Sequence, residues 1–374
     1  MNVPKLRFYG YDDLYKNVKL STFAQKIFSK NKGNTITNVI SNSAIYGLIS
    51  QRDFFDKDIA NNDNTENYYI IEHGDFVYNP RKSNEAPYGP INLYKYEDAG
   101  VISPLYLCFR TKNINRNYLE YYFKSPFWYR YIYLNGDSGA RHDRVSIKDE
   151  TFFNMNINIP CLEEQTKVSD FLSLLDKKIE LQSKKIEDLK LFKLCIMKSI
   201  FDSSKVSINL KIKDISLIEK GKQINGDQLL EFGNYYMLNG GINPSGYLNV
   251  YNRNENTITI SEGGNSCGYV SFNKNKFWCG GHCYSVSPIN INNEYLYQLL
   301  KYNERKIMDL RVGSGLPNIQ KKDLENLPIK IHNNSDQENI SILLSKYDSK
   351  IDLEIIKLNI LNKIKKGLIQ NLFV

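Results

Sequence analysis

Arg141, His142, Arg144 and Lys148 fall within eight residues of one another, and Arg311, Asn318, Gln320 and Lys321 form a comparable cluster further along the chain. Together these types can do one kind of chemistry. A guanidinium bonds guanine through two parallel hydrogen bonds, a carboxamide does the same to adenine, and any cation here can neutralise phosphate. Tyr78, Asn79, Arg81 and Lys82 form a third such stretch, and Lys222, Asn265, Lys274 and Lys276 extend the set across the second half of the chain. A solvated basic turn carries the same residues, so side-chain type alone leaves both readings open.

Other chemistry finds less support. Asn79-Pro80-Arg81 is superficially similar to the Asn-Pro-Pro-aromatic loop of adenine methyltransferases, but the second proline and the aromatic are missing. No glycine-rich cofactor loop follows a strand at a useful distance, so no catalytic residue is assigned. Cys267, Cys279, His282 and Cys283 have poor zinc spacing: Cys279 and Cys283 make one close pair, and His282 beside them does not easily share its tetrahedron. Buried thiols and no metal are expected. Gly263-Gly264 and Gly313-Ser314-Gly315 could cradle phosphate through backbone N–H groups, and tight turns explain them equally well.

A net charge of +8 suits a polyanionic partner, and 27 tyrosines with 18 phenylalanines supply surfaces that stack. Six cysteines are too few for a disulfide scaffold in 374 residues. The start MNVPKLRFYG lacks a basic segment followed by an apolar run, and no apolar stretch is long enough to span a membrane. A cytoplasmic protein is expected.

The elements that must position these clusters come from an internal repeat. At a constant offset of 172, residues 157–201 align without a gap to 329–373, with about a third of positions identical. Gln165 meets Gln337, Asp176 meets Asp348, Lys193 meets Lys365 and Phe201 meets Phe373. Apolar residues recur at intervals of three and four, which predicts helices of roughly 38 residues, about 57 Å long. Both stripes are interrupted at the same places, by Gln182 or Glu354 and by Lys193 or Lys365, so the two copies suit each other as an antiparallel intramolecular coiled coil. Ser335 with Glu338 reads as a capping box at the second start. The stripe residues Leu172, Leu175, Ile179, Ile186 and Leu189, with Leu344, Tyr347, Ile351, Leu358 and Leu361, are the candidate helix-partner positions.

Between the helices the pattern is mixed. Asp75 to Tyr78, Thr257 to Ile260 and Gly268 to Phe272 alternate as strands, while Tyr118 to Tyr131 and Asn293 to Leu310 read as helices. The expected fold is α+β: a globular domain over 1–158, a spacer helix over 159–203, a second globular domain over 204–330 and a second helix over 331–374. Each globular block carries a net charge of about +3 (20 basic against 17 acidic residues for 1–162, 15 against 12 for 202–334). One polyanion gripped by two equivalent domains would give this balance.

VPKLRF at Val3 to Phe8, the Ile159 to Gln165 run leading into a lysine-rich helix, Thr259-Ile260-Ser261 with Gly263-Gly264-Asn265, and Gly313 to Ile319 resemble the specificity subunits of type I restriction-modification systems across essentially the whole chain. Two places depart from that pattern: Ile331-His332-Asn333 stands where the first copy has Ile159-Pro160-Cys161, and Gly139 to Arg144 lacks the usual Gly-Leu-Pro-Asn. The resemblance implies a non-catalytic chain whose two target-recognition domains each read half of a split duplex DNA target. It also implies two methyltransferase subunits and restriction subunits as partners, with S-adenosylmethionine and ATP bound by those partners and no cofactor in this chain. A non-catalytic coiled-coil adaptor whose domains bind protein is the alternative.

Overall fold

A computed structural model of the chain describes residues 3–51, 65–137, 143–203, 208–313, 315 and 317–374. The chain divides into two compact units, Met1–Leu181 with Leu358–Val374, and Gln182–Lys357. Each unit therefore takes part of both long helices, a different partition from one drawn domain by domain along the sequence.

The described residues of the first unit form ten short strands: β1 (Lys16–Lys19), β2 (Ala24–Lys26), β3 (Val39–Ser43), β4 (Gly47–Ser50), β5 (Tyr69–Ile71), β6 (Phe76–Tyr78), β7 (Ile91–Leu93), β8 (Gly100–Ile102), β9 (Leu107–Thr111) and β10 (Asn156–Ile159). They pair as β2-β9-β6-β7, β4-β3-β8-β5 and β1-β10, with β3 parallel to β8. Helix α1 (Arg116–Phe123) starts where the Asn115 side chain accepts the Tyr118 N–H, satisfying a donor the helix itself leaves open. The helix expected over Tyr118 to Tyr131 is in fact two, α1 and Tyr129–Asn135, parted at Ser125-Pro126, where proline cannot donate a backbone hydrogen bond. The core gathers Phe76, Phe109, Tyr118, Trp128 and Phe152, with Phe76 stacked on Phe109 at 5.2 Å. Val168 and Leu172 of helix α2 (Leu162–Phe201) and Ile369, Leu372 and Phe373 near the C-terminus pack into it.

The second unit repeats this plan with β11 (Ile208–Lys211), β12 (Ser216–Lys220), β13 (Tyr235–Leu238), β14 (Gly246–Leu248), β15 (Thr257–Ser261), β16 (Val270–Asn273), β17 (Trp278–Cys279), β18 (Cys283–Pro288) and β19 (Pro328–Ile331). Its sheets run β12-β18-β15-β16, β14-β13-β17 and β11-β19, and β13 is parallel to β17 as β3 is to β8. Helix α3 (Asn293–Tyr302) is capped by Asn292 as α1 is by Asn115. The helix expected to reach Leu310 breaks at Asn303 into a second one, Glu304–Met308. Met197 and Phe201 of α2 and Ile340 and Leu344 of helix α4 (Asn334–Leu372) join this core.

The two long helices have 40 and 39 residues, about 60 Å each at 1.5 Å per residue. They run antiparallel: in the second unit Gln182 Nε2 donates to Glu354 Oε2 at 2.7 Å, and further on Lys193 meets Asp348 at 2.6 Å. In the first unit Lys365 pairs with Asp176. The polar interruptions of the two stripes thus engage acidic or amide groups on the facing helix. Asp176 is also held by the Tyr121 hydroxyl at 2.7 Å, and Asp348 by Gln298 at 2.7 Å. The repeated glutamine has one role in both copies: Gln165 donates to Pro160 O at 3.0 Å and Gln337 to His332 O at 2.8 Å.

Two expectations about the helices need correction. The second start is capped by Asn333, whose Oδ1 accepts the Asp336 N–H at 2.9 Å, because the helix begins at Asn334 and leaves Ser335 within its first turn. Of the ten stripe residues, four are taken up wholly inside the chain and six keep part of their surface open. Leu172, Ile186, Leu344 and Ile351 are buried, and Leu175, Ile179, Leu189, Tyr347, Leu358 and Leu361 are half-buried. Other apolar residues of α4, Leu353, Ile356, Ile360 and Ile364, face solvent at 47–58 % exposure, and Leu174, Leu181, Leu191 and Leu194 of α2 are exposed as well.

Candidate nucleic-acid interface

In the first unit the loop between β6 and β7 lies against the segment that precedes the short helix Asp149–Phe153. Arg81 bridges to Arg144, the Lys82 N–H donates to Asp143 O at 2.8 Å and the Val145 N–H to Pro80 O at 2.9 Å. This pairing brings Asn79, Arg81, Lys82 and Arg144 to one groove, which Asn42, Tyr46 and Tyr106 also line. Two guanidinium groups make it electropositive; among the described residues the carboxylate that answers them is Asp143, 3.8 Å from Arg81. Burial pushes the Tyr106 phenol above its ordinary range, against the opposing pull of Arg144 and Arg81. Gly89 makes the loop possible: its φ of +85° suits glycine, and a Cβ there would lie 2.0 Å from Asn79 O.

The expected residues of this unit separate in the structure. Tyr78 is 1 % exposed, stacks on Phe152 at 5.2 Å and donates its hydroxyl to Tyr88 O, so it is a core residue and not a contact. Lys148 is exposed at the start of the Asp149–Phe153 helix. Arg141 and His142 lie outside the described residues.

The second unit builds the same pairing from other residues. Its loop between β15 and β16 corresponds to the β6–β7 loop, and it bridges through Gly263 to Asn318. The Gly264 N–H donates to Pro317 O at 3.0 Å and the Ile319 N–H to Glu262 O at 2.9 Å. The Gly264 amide is thus used by the turn itself. Asn265, Arg311 and Gln320 are exposed on these two loops and Asn318 is half-buried. Arg311 is near enough to oppose burial in setting the Cys267 thiol, which burial raises. Beneath them the buried Glu262 carboxylate takes Lys220 at 2.7 Å and the Tyr284 hydroxyl at 2.9 Å, an anchor absent from the sequence reading because its residues lie 42 and 22 positions away.

Lys222 is exposed on a neighbouring turn, with its N–H given to Cys279 O at 2.9 Å and its carbonyl accepting Trp278 Nε1 at 2.8 Å. Lys321 faces Glu325 at 3.4 Å. Lys274 and Lys276 stand apart from the cluster: Lys274 follows β16, at the opposite end of the β15–β16 hairpin, and pairs with Asp352 of α4 at 2.6 Å. Lys276 sits over the Tyr251 ring at 4.7 Å. Cys279 and Cys283 are buried, each with its sulfur directed at a backbone carbonyl. Among the described residues no helix is long and apolar enough to cross a membrane.

Each unit therefore presents an interlocked pair of loops bearing cations and carboxamides, able to bond phosphate and base edges. A sequence profile of the family described as "Type I restriction modification DNA specificity domain" matches residues 12–191 and 207–366. A Mycoplasma pneumoniae protein named as a type I specificity subunit is 36% identical over 139 residues, 36% of this chain and 37% of that protein. The specificity subunit of the type I restriction enzyme MjaVIII from Methanocaldococcus jannaschii is 29% identical over 121 residues, 32% of this chain and 28% of its own length. These alignments span about a third of each relative. The crystal structure of the type I restriction-modification S subunit from M. genitalium has the same fold, with a TM-score of 0.63 at 16% identity, covering 100% of this chain and 99% of that one. A chain from a structural study of complex assembly and conformational transition in the type I R-M system aligns with a TM-score of 0.58 at 14% identity, over 97% and 98% of the two chains.

Proposed function

The chain belongs to the type I restriction-modification DNA specificity family, and from that premise we propose that each compact unit reads one half of a bipartite duplex target. The observation that carries this reading is the repeated frame with unrepeated loops: the sheet β2-β9-β6-β7 corresponds to β12-β18-β15-β16, β1-β10 to β11-β19, and β4-β3-β8 to β14-β13-β17, with β5 the one strand lacking a counterpart among the described residues, while Asn79, Arg81, Lys82 and Arg144 give way to Asn265, Arg311, Asn318 and Gln320. Equal frames with different reading groups suit a target whose halves differ.

In this reading the paired long helices set the gap between the halves. A helix of about 60 Å matches about 18 base pairs at 3.4 Å each, an upper bound on such a gap. The solvent-facing residues Leu353, Ile356, Ile360 and Ile364 are the surface on which two methyltransferase subunits would dock, with restriction subunits joining the assembly. Methyl transfer from S-adenosylmethionine and ATP-driven steps would then belong to those partners, in the cytoplasm, and this chain would supply binding alone.

Mapping modified adenines in DNA treated with the assembled complex tests the reading. A two-part motif is expected, and deleting four residues around Lys184 should alter its gap or abolish assembly while leaving each half unchanged. Absence of any motif would favour a protein-binding adaptor, and an unchanged gap with full activity would show that the helices do not set spacing.

A further inference from the structure

A third loop stands beside the interlocked pair in both units, and it carries no charge. The turn joining β3 to β4 holds Ile45 and Tyr46 at 65% and 61% exposure, and the turn joining β13 to β14, its topological counterpart, holds Ile242 at 56%. A single exposed apolar residue needs no explanation. Two at the tip of the same hairpin, in units whose loops share no sequence pattern, do.

Both tips are fixed to the loops already described. In the first unit the Ser43 Oγ accepts the N–H groups of Ile45 and Tyr46 at 3.2 Å, and Asn92 Nδ2 donates to Ser43 O at 3.0 Å. Asn79 Nδ2, at the root of the basic loop, donates to Asn42 O at 3.1 Å, so tip and basic loop form one hydrogen-bonded block. Tyr46 lines the same groove as Arg81 and Arg144. In the second unit the Ser261 Oγ donates to Gly240 O at 2.5 Å, and the His282 N–H to Asn239 Oδ1 at 3.1 Å. A Cβ at Gly240 would sit 3.3 Å from Gly263 O, in the loop that bears Asn265.

A small apolar tip, which in the first unit shares its groove with Arg81, Lys82 and Arg144, is poorly matched to a protein partner, which would offer a wider apolar face. It matches a duplex, whose phosphates meet the cations while the tip enters between stacked bases. We propose that Ile45 with Tyr46, and Ile242, are wedges that enter the DNA and partly unstack a base step, so that each unit also selects an easily deformed step beside its half-site. The proposal rests on the DNA-reading role proposed above.

The test uses the full chain and duplexes it retains from a random-sequence pool, with single adenines replaced by 2-aminopurine. Ile45→Ala with Tyr46→Ala, and separately Ile242→Ala, should each bind roughly tenfold more weakly, the order of one lost base contact. The slope of log affinity against log salt should stay unchanged, because no phosphate contact is lost. The 2-aminopurine fluorescence gain should vanish, the thermal midpoint should hold, and Tyr46→Phe and Ile242→Leu should bind as the parent does. Unchanged affinity and fluorescence in the alanine variants would overturn the wedges alone, as would variants that bind DNA normally but lose the methyltransferase subunits. A parent chain that retains no duplex would overturn the DNA-reading role and the wedges with it.

Discussion

Lys365 rests on Asp176 in one compact unit and Lys193 rests on Asp348 in the other, with Tyr121 or Gln298 closing the pair. The outward loops keep the same topology with different residues: Arg81 bridges to Arg144 where Gly263 bridges to Asn318. The contrast separates two demands on one fold. Contacts between long helices and globular units must satisfy the same packing twice, so they repeat position for position. The outward loops are under no such demand, and they diverge.

The largest expected effect tests whether the repeated packing is equivalent. Phe373 lies 5.0 Å from the Tyr118 ring, and its counterpart Phe201 lies 5.0 Å from Tyr302 and 5.6 Å from His332. Each Phe→Ala substitution should cost about 4 kcal/mol in denaturant unfolding. A loss confined to one of them would break the equivalence.

A smaller effect should expose a difference within the repeat. Tyr118 and Tyr295 follow their asparagine caps at the same position, both 0% exposed. The Tyr295 hydroxyl meets His332 Nδ1 at 2.7 Å, whereas among the described residues that of Tyr118 has no hydrogen-bond partner, since Pro160 stands where His332 does. Tyr295→Phe should therefore lose about 1 kcal/mol, and Tyr118→Phe should be neutral or stabilising. Equal losses would show that the histidine does not distinguish the two sites.

The smallest effect concerns pH. Gln182, Lys185 and Lys357 hydrogen-bond the Glu354 carboxylate and hold its pKa down to about 2, while the equivalent position in the other copy is Gln182, which does not titrate. A carboxylate with a folded pKa below its unfolded value of about 4.3 contributes stability above that value and loses it as pH falls through the folded pKa. Acid unfolding of Glu354→Gln should accordingly show a weaker dependence between about pH 4.5 and pH 2 than the parent. An identical acid profile would remove Glu354 from the account.

The long helices were legible in the sequence because a gapless repeat with apolar spacing of three and four survives without tertiary information. Their polar interruptions were visible as positions, but Lys193 reaching Asp348 needed the antiparallel register. Ser335 looked like the cap since its spacing to Glu338 fits, yet Asn333 begins the helix two residues sooner. Tyr78 was misread because β6 is buried on both faces, so alternation cannot say which side chain faces out. Lys274 was misread because only strand pairing reveals which end of the β15–β16 hairpin it occupies. The stripe expected to meet partners is only partly open, with Leu172, Ile186, Leu344 and Ile351 buried, since the same periodicity describes a face buried within the chain and a face left for another. Nothing in Ser43-Ala44-Ile45-Tyr46-Gly47 marks a hairpin tip until its strands are paired.

Division of labour between the two units is the central claim, and mapping modified adenines with Arg81→Gln, Arg144→Gln in the assembled complex tests it most directly. The account predicts a two-part motif in which one half is relaxed and the other half and the gap are retained. A contiguous motif, or loss of sequence preference in both halves at once, would contradict it.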